Sequence, residues 1–303
     1  MTQKKRRVGM LRAEARLAWL LVSPALFVIA LIAFYPVFRA FLISLQQVQL
    51  QFLKFGQSFV GLGNYAQVLS DDRFWNALGN TGLFTFVTVL FEFLLGLLLA
   101  VLMNIPLKGR GVLRASVLIP WALTTVVSAI MWQFMYNDQY GIVNALLLRF
   151  HLIAEPVIWL GKPSLALISA MIADIWKTTP FMALLLLAGL QVIPADIYEA
   201  ARIDGTTPLQ AFFRITLPLL KPAILVALLF RALDAFRVFD LIFVLTGGGP
   251  GNSTETLSLL TYIKLFREFD FGVGSALAVI TFICVVLISY VFIKVLGARA
   301  GEV

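Results

Sequence analysis

The chain has 303 residues, of which 60% are hydrophobic and only 13% charged, with a mean hydropathy of +0.93. A soluble domain must wet its exterior and has nowhere to put so much apolar surface, so the composition excludes a water-soluble globule and points to lipid as the solvent. The net charge of +8 does not describe a nucleic-acid surface either, because Lys4, Lys5, Arg6, Arg7, Arg12 and Arg16 crowd just ahead of the first apolar run.

Taken in chain order, residues 1–16 form a basic lead-in that resembles a secretion leader. The apolar run behind it extends from about Leu17 to Leu45, longer than the roughly 7–15 apolar residues of a cleaved leader, and it reads as a retained first span. Apolar stretches long enough to cross a bilayer recur near 17–43, 78–103, 112–136, 164–190, 222–245 and 274–296, and residues 297–303 form a polar tail. With the basic N-terminus held inside, fourteen Lys and Arg residues fall in inner segments and six in outer ones, which agrees with the positive-inside rule. The fold class expected is an all-α membrane protein of six transmembrane helices with both termini cytosolic.

The outer stretch 46–77 contains FVGLGNY and DDRFWNAL. The second predicts an amphipathic helix on the outer surface, with Phe74, Trp75 and Leu78 on one side as an interfacial anchor. Asn144 and the run Gly247, Gly248, Gly249, Pro250 mark outer turns; the glycines predict a flexible loop, either plain or lying beneath a docking protein. Cys284 and His151 each stand alone in the sequence, so an intrachain disulfide is excluded, and a His-based metal cluster or Ser-His dyad network is not expected.

The inner segment 191–221 is too structured for a plain connection. Asp196, after Pro194, is placed to cap a first short helix, and Gly205 permits a sharp turn. Thr206 or Thr207 then caps a second helix that has Pro208 in its first position. Leu209, Phe212, Phe213 and Ile215 supply its apolar face, and Pro218 is expected to break it. Two short helices joined at a glycine make a rigid peg, with Phe212 and Phe213 available to a partner's groove.

Here a resemblance becomes specific. Glu199-Ala200-Ala201, Gly205, nine further residues, Ile215 and then Leu217-Pro218 is similar to the EAA loop of permease subunits in binding-protein-dependent ABC importers. GLGNY with FWNAL, WKTTPF, and FRVFDLIFVLTGGGP resemble the sugar branch of that family, of maltose and trehalose type, over roughly 20–296. The two extra N-terminal spans and the large external domain of the maltose subunit have no counterpart here, which implies a compact six-span relative of type I importer architecture. The resemblance implies that Glu199, Ala200, Ala201, Asp204, Gly205, Phe212, Phe213, Ile215, Leu217 and Pro218 form the loop that couples to an ATPase. It also implies a second permease, two ATPase subunits, an extracytoplasmic substrate-binding protein or lipoprotein, and a sugar substrate, in a bacterial or archaeal plasma (inner) membrane. ATP and Mg would then sit on the ATPase partners, with no cofactor in this chain.

Charges within spans are costly, and each needs a reason. Glu92, Asp174, Asp234 and Asp240 face Arg39, Lys177, Arg231 and Arg237 in equal number. Asp174 and Lys177 are three apart, and Arg231, Asp234, Arg237 and Asp240 step by three, so each is expected to meet the next on a helix. These charges read as helix-to-helix ion pairs, as the lining of a polar cavity, or as both. Asp174, Trp176, Lys177, Asp234, Arg237 and Asp240 are the candidates for a substrate path, and Trp132, Phe181 and Phe236 are further rings on which a sugar face could stack.

No Gly-x4-Gly-Lys-Ser/Thr phosphate loop occurs anywhere, so this chain has no cradle for ATP and is not expected to be an enzyme by itself. Three rival readings stay open: an ion-coupled secondary transporter whose buried carboxylates carry protons or sodium, an ABC permease for a non-sugar solute, and a polytopic membrane enzyme. The last lacks any His, Cys or paired-carboxylate constellation at a membrane surface.

Overall fold

A computed structural model of the chain describes residues 17–49, 58–106 and 108–296; the basic segment 1–16 and the tail 297–303 lie outside the described residues. The chain divides into two compact units, one of residues 1–68 and 264–279, the other of residues 69–263 and 280–303.

In the first unit, helix α1 (Leu17–Ser44) carries a π-helical turn at Ala30–Phe34. A two-residue strand β1 (Gln46–Gln47) pairs antiparallel with β2 (Ser58–Phe59). The GLGNY segment folds onto this hairpin: the buried Asn64 amide donates to the carbonyls of Ser44 and Gln46 at 2.8 and 2.9 Å, and Tyr65 Oη meets Ser44 Oγ at 2.6 Å. Helix α2 (Gly63–Ser70) starts inside that motif.

The second unit is built on two long helices, α3 (Asp72–Asn104) and α7 (Pro163–Val192), which pack along one another. Asp71 starts α3 by accepting from the Arg73 amide at 2.9 Å. The predicted interfacial helix DDRFWNAL is not a separate element but the first turns of α3. Phe74 there is buried and Trp75 exposed, so the two rings do not share one lipid-facing side. The inward stripe of α3 runs Ala77, Thr81, Phe84, Thr88, Glu92, Gly96, Ala100, Met103, stepping by three and four as a helical face must. A methyl group on Gly96 would stand 2.7 Å from Met182 Cγ, so the glycine allows α3 and α7 to close.

Two predicted spans are broken. The stretch 112–136 is α4 (Arg110–Ala122) and α5 (Thr125–Met135), bent by 89° where Leu123 and Thr124 are extended. Pro120 interrupts the hydrogen-bond ladder just before the bend, and the β-branched Thr124, Thr125, Val126 and Val127 do nothing to restore it. The stretch 222–245 is α10 (Lys221–Phe236) and α11 (Asp240–Leu245), parted at Arg237–Phe239 where the backbone leaves helical geometry. Between these lie α6 (Ile142–Arg149), α8 (Ala195–Ile203) and α9 (Pro208–Leu219). Helix α12 (Leu257–Tyr262) and helix α13 (Phe271–Leu296) complete the chain.

Among the described residues, four helices are long and apolar enough to cross a membrane, or up to six spans by length and composition if each bent pair, α4–α5 and α9–α10, is taken as one. The core of the second unit is apolar around Phe84, Met171 and Leu241, and again around Met103, Leu186 and Leu220.

Candidate functional site

The EAA-like segment forms the peg that its sequence implied. Helix α8 ends in a left-handed glycine: Gly205 has φ +76°, its amide bonds the Arg202 carbonyl at 3.1 Å, and the Thr206 amide bonds Ala201 at 3.0 Å. That paired closure is what a glycine after the last helical residue allows. Helix α9 is capped by Thr207, not Thr206; its Oγ1 accepts from the Gln210 amide, while the Gln210 side chain accepts from the Thr207 amide. Asp196 does not cap α8. Pro194 holds that place, and Asp196 lies in the first turn, where its charge meets the positive helix end.

Pro218 also fails to break α9. A π-helical turn at Phe212–Thr216 precedes it, and the helix carries on to Leu219 before bending 66° into α10 at Leu220. The widened turn absorbs the loss of the proline amide. Tyr198 Oη lies 3.0 Å from Thr216 Oγ1 and ties α8 to the far end of α9.

The peg presents a different apolar face from the one expected. Phe213 is exposed, whereas Phe212 is half-buried, edge-on to Phe213 and turned to a hollow of about 400 Å³ shared with Tyr198, Ala201 and Ile105. Ile203, 87% exposed, and Leu209 stand out beside Phe213. Ile203 escaped notice because in sequence it merely continues the α8 pattern. Glu199, Ala200, Asp204 and Pro218 are exposed, Ala201 is buried, and Ile215 and Leu217 are half-buried.

The charges of the spans gather about one guanidinium. Arg231, 2% exposed, donates from Nε to Glu92 Oε2 at 2.5 Å and from Nη2 to Glu92 Oε1 at 2.8 Å. Nη2 also reaches Asp174 Oδ2 at 3.0 Å, and Nη1 reaches Asp234 Oδ2 at 2.6 Å. One side chain on α10 thus grips α3 and α7 together. The Thr178 hydroxyl sits 2.6 Å from both Glu92 Oε1 and the Asp174 carbonyl, and its single hydrogen serves one of them.

Two expected pairings do not form. Asp174 meets Arg231 rather than Lys177, which makes no ion pair among the described residues. The run of threes along 231–240 yields one pair, Arg231 with Asp234; because α10 ends at Phe236, Arg237 turns back to the Leu233 carbonyl at 3.0 Å and Asp240 opens a new helix.

Five of the six path candidates nevertheless line one cleft of about 170 Å³: Asp174, Lys177, Asp234, Arg237 and Asp240, joined by Thr125. An adjoining cleft of about 340 Å³ shares Asp234 and Arg237 and adds Trp121 and Phe181, whose rings stack at 5.7 Å and 19°. The sixth candidate, Trp176, is packed edge-on to Trp132 at 5.7 Å within the apolar core. Phe236 is likewise buried. A flat aromatic edge beside fixed carboxylates and an exposed guanidinium suits a neutral, hydroxyl-rich solute.

The glycine run at 247–251 is not loose. Gly247, Gly248 and Gly251 take left-handed backbone, and the loop is pinned to α3. Arg73 grips the buried Glu255 with two bonds of 2.8 and 2.7 Å, Asn76 donates to the Asn252 carbonyl at 2.8 Å, and Asn80 to that of Glu255 at 3.0 Å. The glycines serve a fixed path rather than freedom.

Comparison with known proteins places this geometry. Residues 92–302 match the family described as binding-protein-dependent transport system inner membrane component. The chain is similar to the trehalose/maltose transport system permease protein MalF of Thermococcus litoralis, 50% identical over 282 residues covering 93% of this chain and 94% of that one. It is 44% identical over 295 residues to the trehalose transport system permease protein SugA of Mycobacterium tuberculosis, covering 97% and 93%. Among solved structures, the fold matches a bacterial ABC transporter involved in import of the acidic polysaccharide alginate, with TM-score 0.77, 22% identity, and coverage of 95% and 99%. The same kind of transporter in complex with its alginate pentasaccharide-bound periplasmic protein gives a TM-score of 0.78. A multi-pass helical chain with an EAA-type peg and this family match over most of its length belongs to the binding-protein-dependent transport system inner membrane components, the membrane permeases of ABC importers.

Proposed function

We propose that this chain is a permease subunit of an ATP-driven importer for a di- or oligosaccharide such as trehalose or maltose, working by alternating access in a bacterial or archaeal plasma membrane. In this reading each bent pair counts as one crossing, giving six, with both termini cytosolic. A substrate-binding protein or lipoprotein delivers the sugar from outside, a second permease completes the pathway, and two ATPase subunits carry ATP and Mg and supply the work.

The observation that carries the reading is the peg. Ile203, Leu209 and Phe213 are apolar and exposed on it, although the rest of α8 and α9 is braced by local hydrogen bonds. Such a rigid apolar point fits a partner's groove. It runs through Leu220 directly into α10, the helix that carries Arg231 and Asp234. The names of the relatives support sugar as the cargo, and the Trp121–Phe181 edge beside Asp234 offers a pyranose face and its hydroxyls what each needs.

The test is reconstitution with the partner subunits in proteoliposomes, reading sugar-stimulated ATP hydrolysis and uptake. Gly205→Pro cannot adopt φ +76° and loses the amide bonded to Arg202, so it should abolish stimulation while the chain still inserts. Glu199→Lys, a charge reversal on the exposed face of α8, should do the same. Normal coupling in both variants would refute the docking role. Uptake that ignores ATP and collapses with an ion gradient would select the ion-coupled carrier instead, and calorimetry of the binding protein against mono- and disaccharides would identify the cargo.

A further inference from the structure

Arg231 faces three carboxylates with one positive charge. Four of its five N–H hydrogens are committed: one from Nε and one from Nη2 to Glu92, a second from Nη2 to Asp174, and one from Nη1 to Asp234. The three acids are not equivalent. Glu92 on α3 and Asp174 on α7 are buried and belong to other helices, whereas Asp234 shares α10 with Arg231 and its side chain is 71% exposed. Asp234 lines both clefts. Through Nη1, which neither other acid uses, it draws the shared positive charge towards the solvated side, against the pull of the two acids that bind α10 to its neighbours.

We propose that Arg231 is a positioning residue that reports the occupancy of the cleft to the peg. A solute hydroxyl that donates to the Asp234 carboxylate satisfies part of its charge and weakens its hold on Nη1. The guanidinium keeps its bonds to Glu92 and Asp174 and, with the opposing pull reduced, is drawn closer to them, where the low dielectric makes the attraction strongest. That tightens α10 against α3 and α7. Because α10 starts at Lys221, one residue beyond the bend that ends α9, the shift is delivered to the peg without an intervening loop. Arg231 also borders both clefts, but it is 2% exposed and its hydrogens face carboxylates, so the exposed Asp234 is the group that meets the solute. No covalent step is involved, only a shift of one charge among its hydrogen-bond partners.

The proposal rests on the reading of the chain as an ATP-driven importer, and its test is chosen to separate the two. The complete importer is reconstituted in proteoliposomes, and ATP hydrolysis is measured with and without sugar-loaded binding protein, alongside the KM and maximal rate of sugar uptake. Asp234→Asn removes the competitor and mimics occupancy, so hydrolysis without sugar should rise about fivefold or more. Arg231→Lys keeps the charge but loses the fork. In that variant stimulated hydrolysis should fall towards the unstimulated rate, with the KM for sugar unchanged and the maximal uptake rate lowered.

Two results overturn the proposal while leaving the importer reading intact. One is an Asp234→Asn variant whose KM rises with unstimulated hydrolysis unchanged, which makes Asp234 a simple contact. The other is an Arg231→Lys variant that only lowers the amount of assembled complex, with the stimulation ratio per complex unchanged. Should Arg231→Lys not assemble at all, the exposed Asp234→Asn decides the matter alone. Wild-type importer showing no sugar-stimulated hydrolysis would bring down the importer reading, and this proposal with it.

Discussion

Tyr198 Oη and Thr216 Oγ1 stand 3.0 Å apart across eighteen residues of chain, closing the α8–α9 peg into a loop with its base on the membrane helices. Thr216 is buried, and among the described residues its hydroxyl has one further partner, the Ala211 carbonyl at 3.5 Å. Tyr198→Phe leaves the ring in place and removes this tie, at a cost of about 1 kcal/mol. Amides of 195–219 should then exchange about fivefold faster, by that same energy, with the melting temperature of the whole subunit scarcely moved. Unchanged exchange would show that the peg is braced elsewhere.

Gly205 has no heavy atom within 4 Å of the place a Cβ would take, so a side chain there meets only backbone strain. Gly205→Ala should cost about 1–2 kcal/mol through its left-handed φ, and Gly205→Asn less, since Asn tolerates that region. Sugar-stimulated ATP hydrolysis should fall in the order Gly, Asn, Ala, Pro. An Ala variant better than Asn would mean that the glycine is needed for close approach of a partner rather than for its backbone.

Arg231→Met strands Glu92 and Asp174 without their counter-charge. Breaking a buried pair in this way costs about 3–5 kcal/mol, and adding Glu92→Gln should recover part of it. Thermal unfolding of the detergent-solubilised complex measures both effects. A double variant no more stable than Arg231→Met alone would show that Glu92 is not the main partner of the guanidinium.

Glu255→Gln keeps the shape of the buried side chain but puts an amide NH2 where one acceptor oxygen stood, so one bond from Arg73 is lost and the other loses its charge assistance. Charge-assisted bonds of this kind are worth about 1.5–3 kcal/mol. Loss should appear as faster amide exchange and earlier proteolysis across 247–256, with α3 itself unaffected. Protection that persists would assign the loop's order to Asn76 and Asn80 instead.

The peg was the most legible part of the chain because its instructions are local. A glycine with left-handed φ, a threonine cap and a proline in the first helical turn act on backbone within a few residues of themselves. Their spacing survives translation into structure unchanged. Ile203 was missed for the converse reason: its exposure follows from what α8 leaves uncovered, and no neighbour in sequence announces that.

The charges show the limit of a spacing argument. Steps of three along 231–240 assume an unbroken helix, but α10 stops at Phe236, and of those pairs only Arg231–Asp234 survives. The dominant partner of Arg231 is Glu92, separated by 139 residues, which no periodicity could disclose. Trp176 fails similarly: it lies one residue from Lys177 in sequence, yet on a helix those neighbours point apart, one to the core and one to the cleft.

By itself, the order of residues determined that this protein belongs in lipid, roughly where its four long apolar helices fall, and that it carries two short helices joined at a glycine, because apolar length and local backbone preference are properties of short segments. Only the tertiary structure decided where two of those crossings bend, which carboxylates Arg231 holds, and which rings face an opening. Those outcomes depend on helices far apart in the chain competing for the same buried charge, and that competition is settled only when they pack.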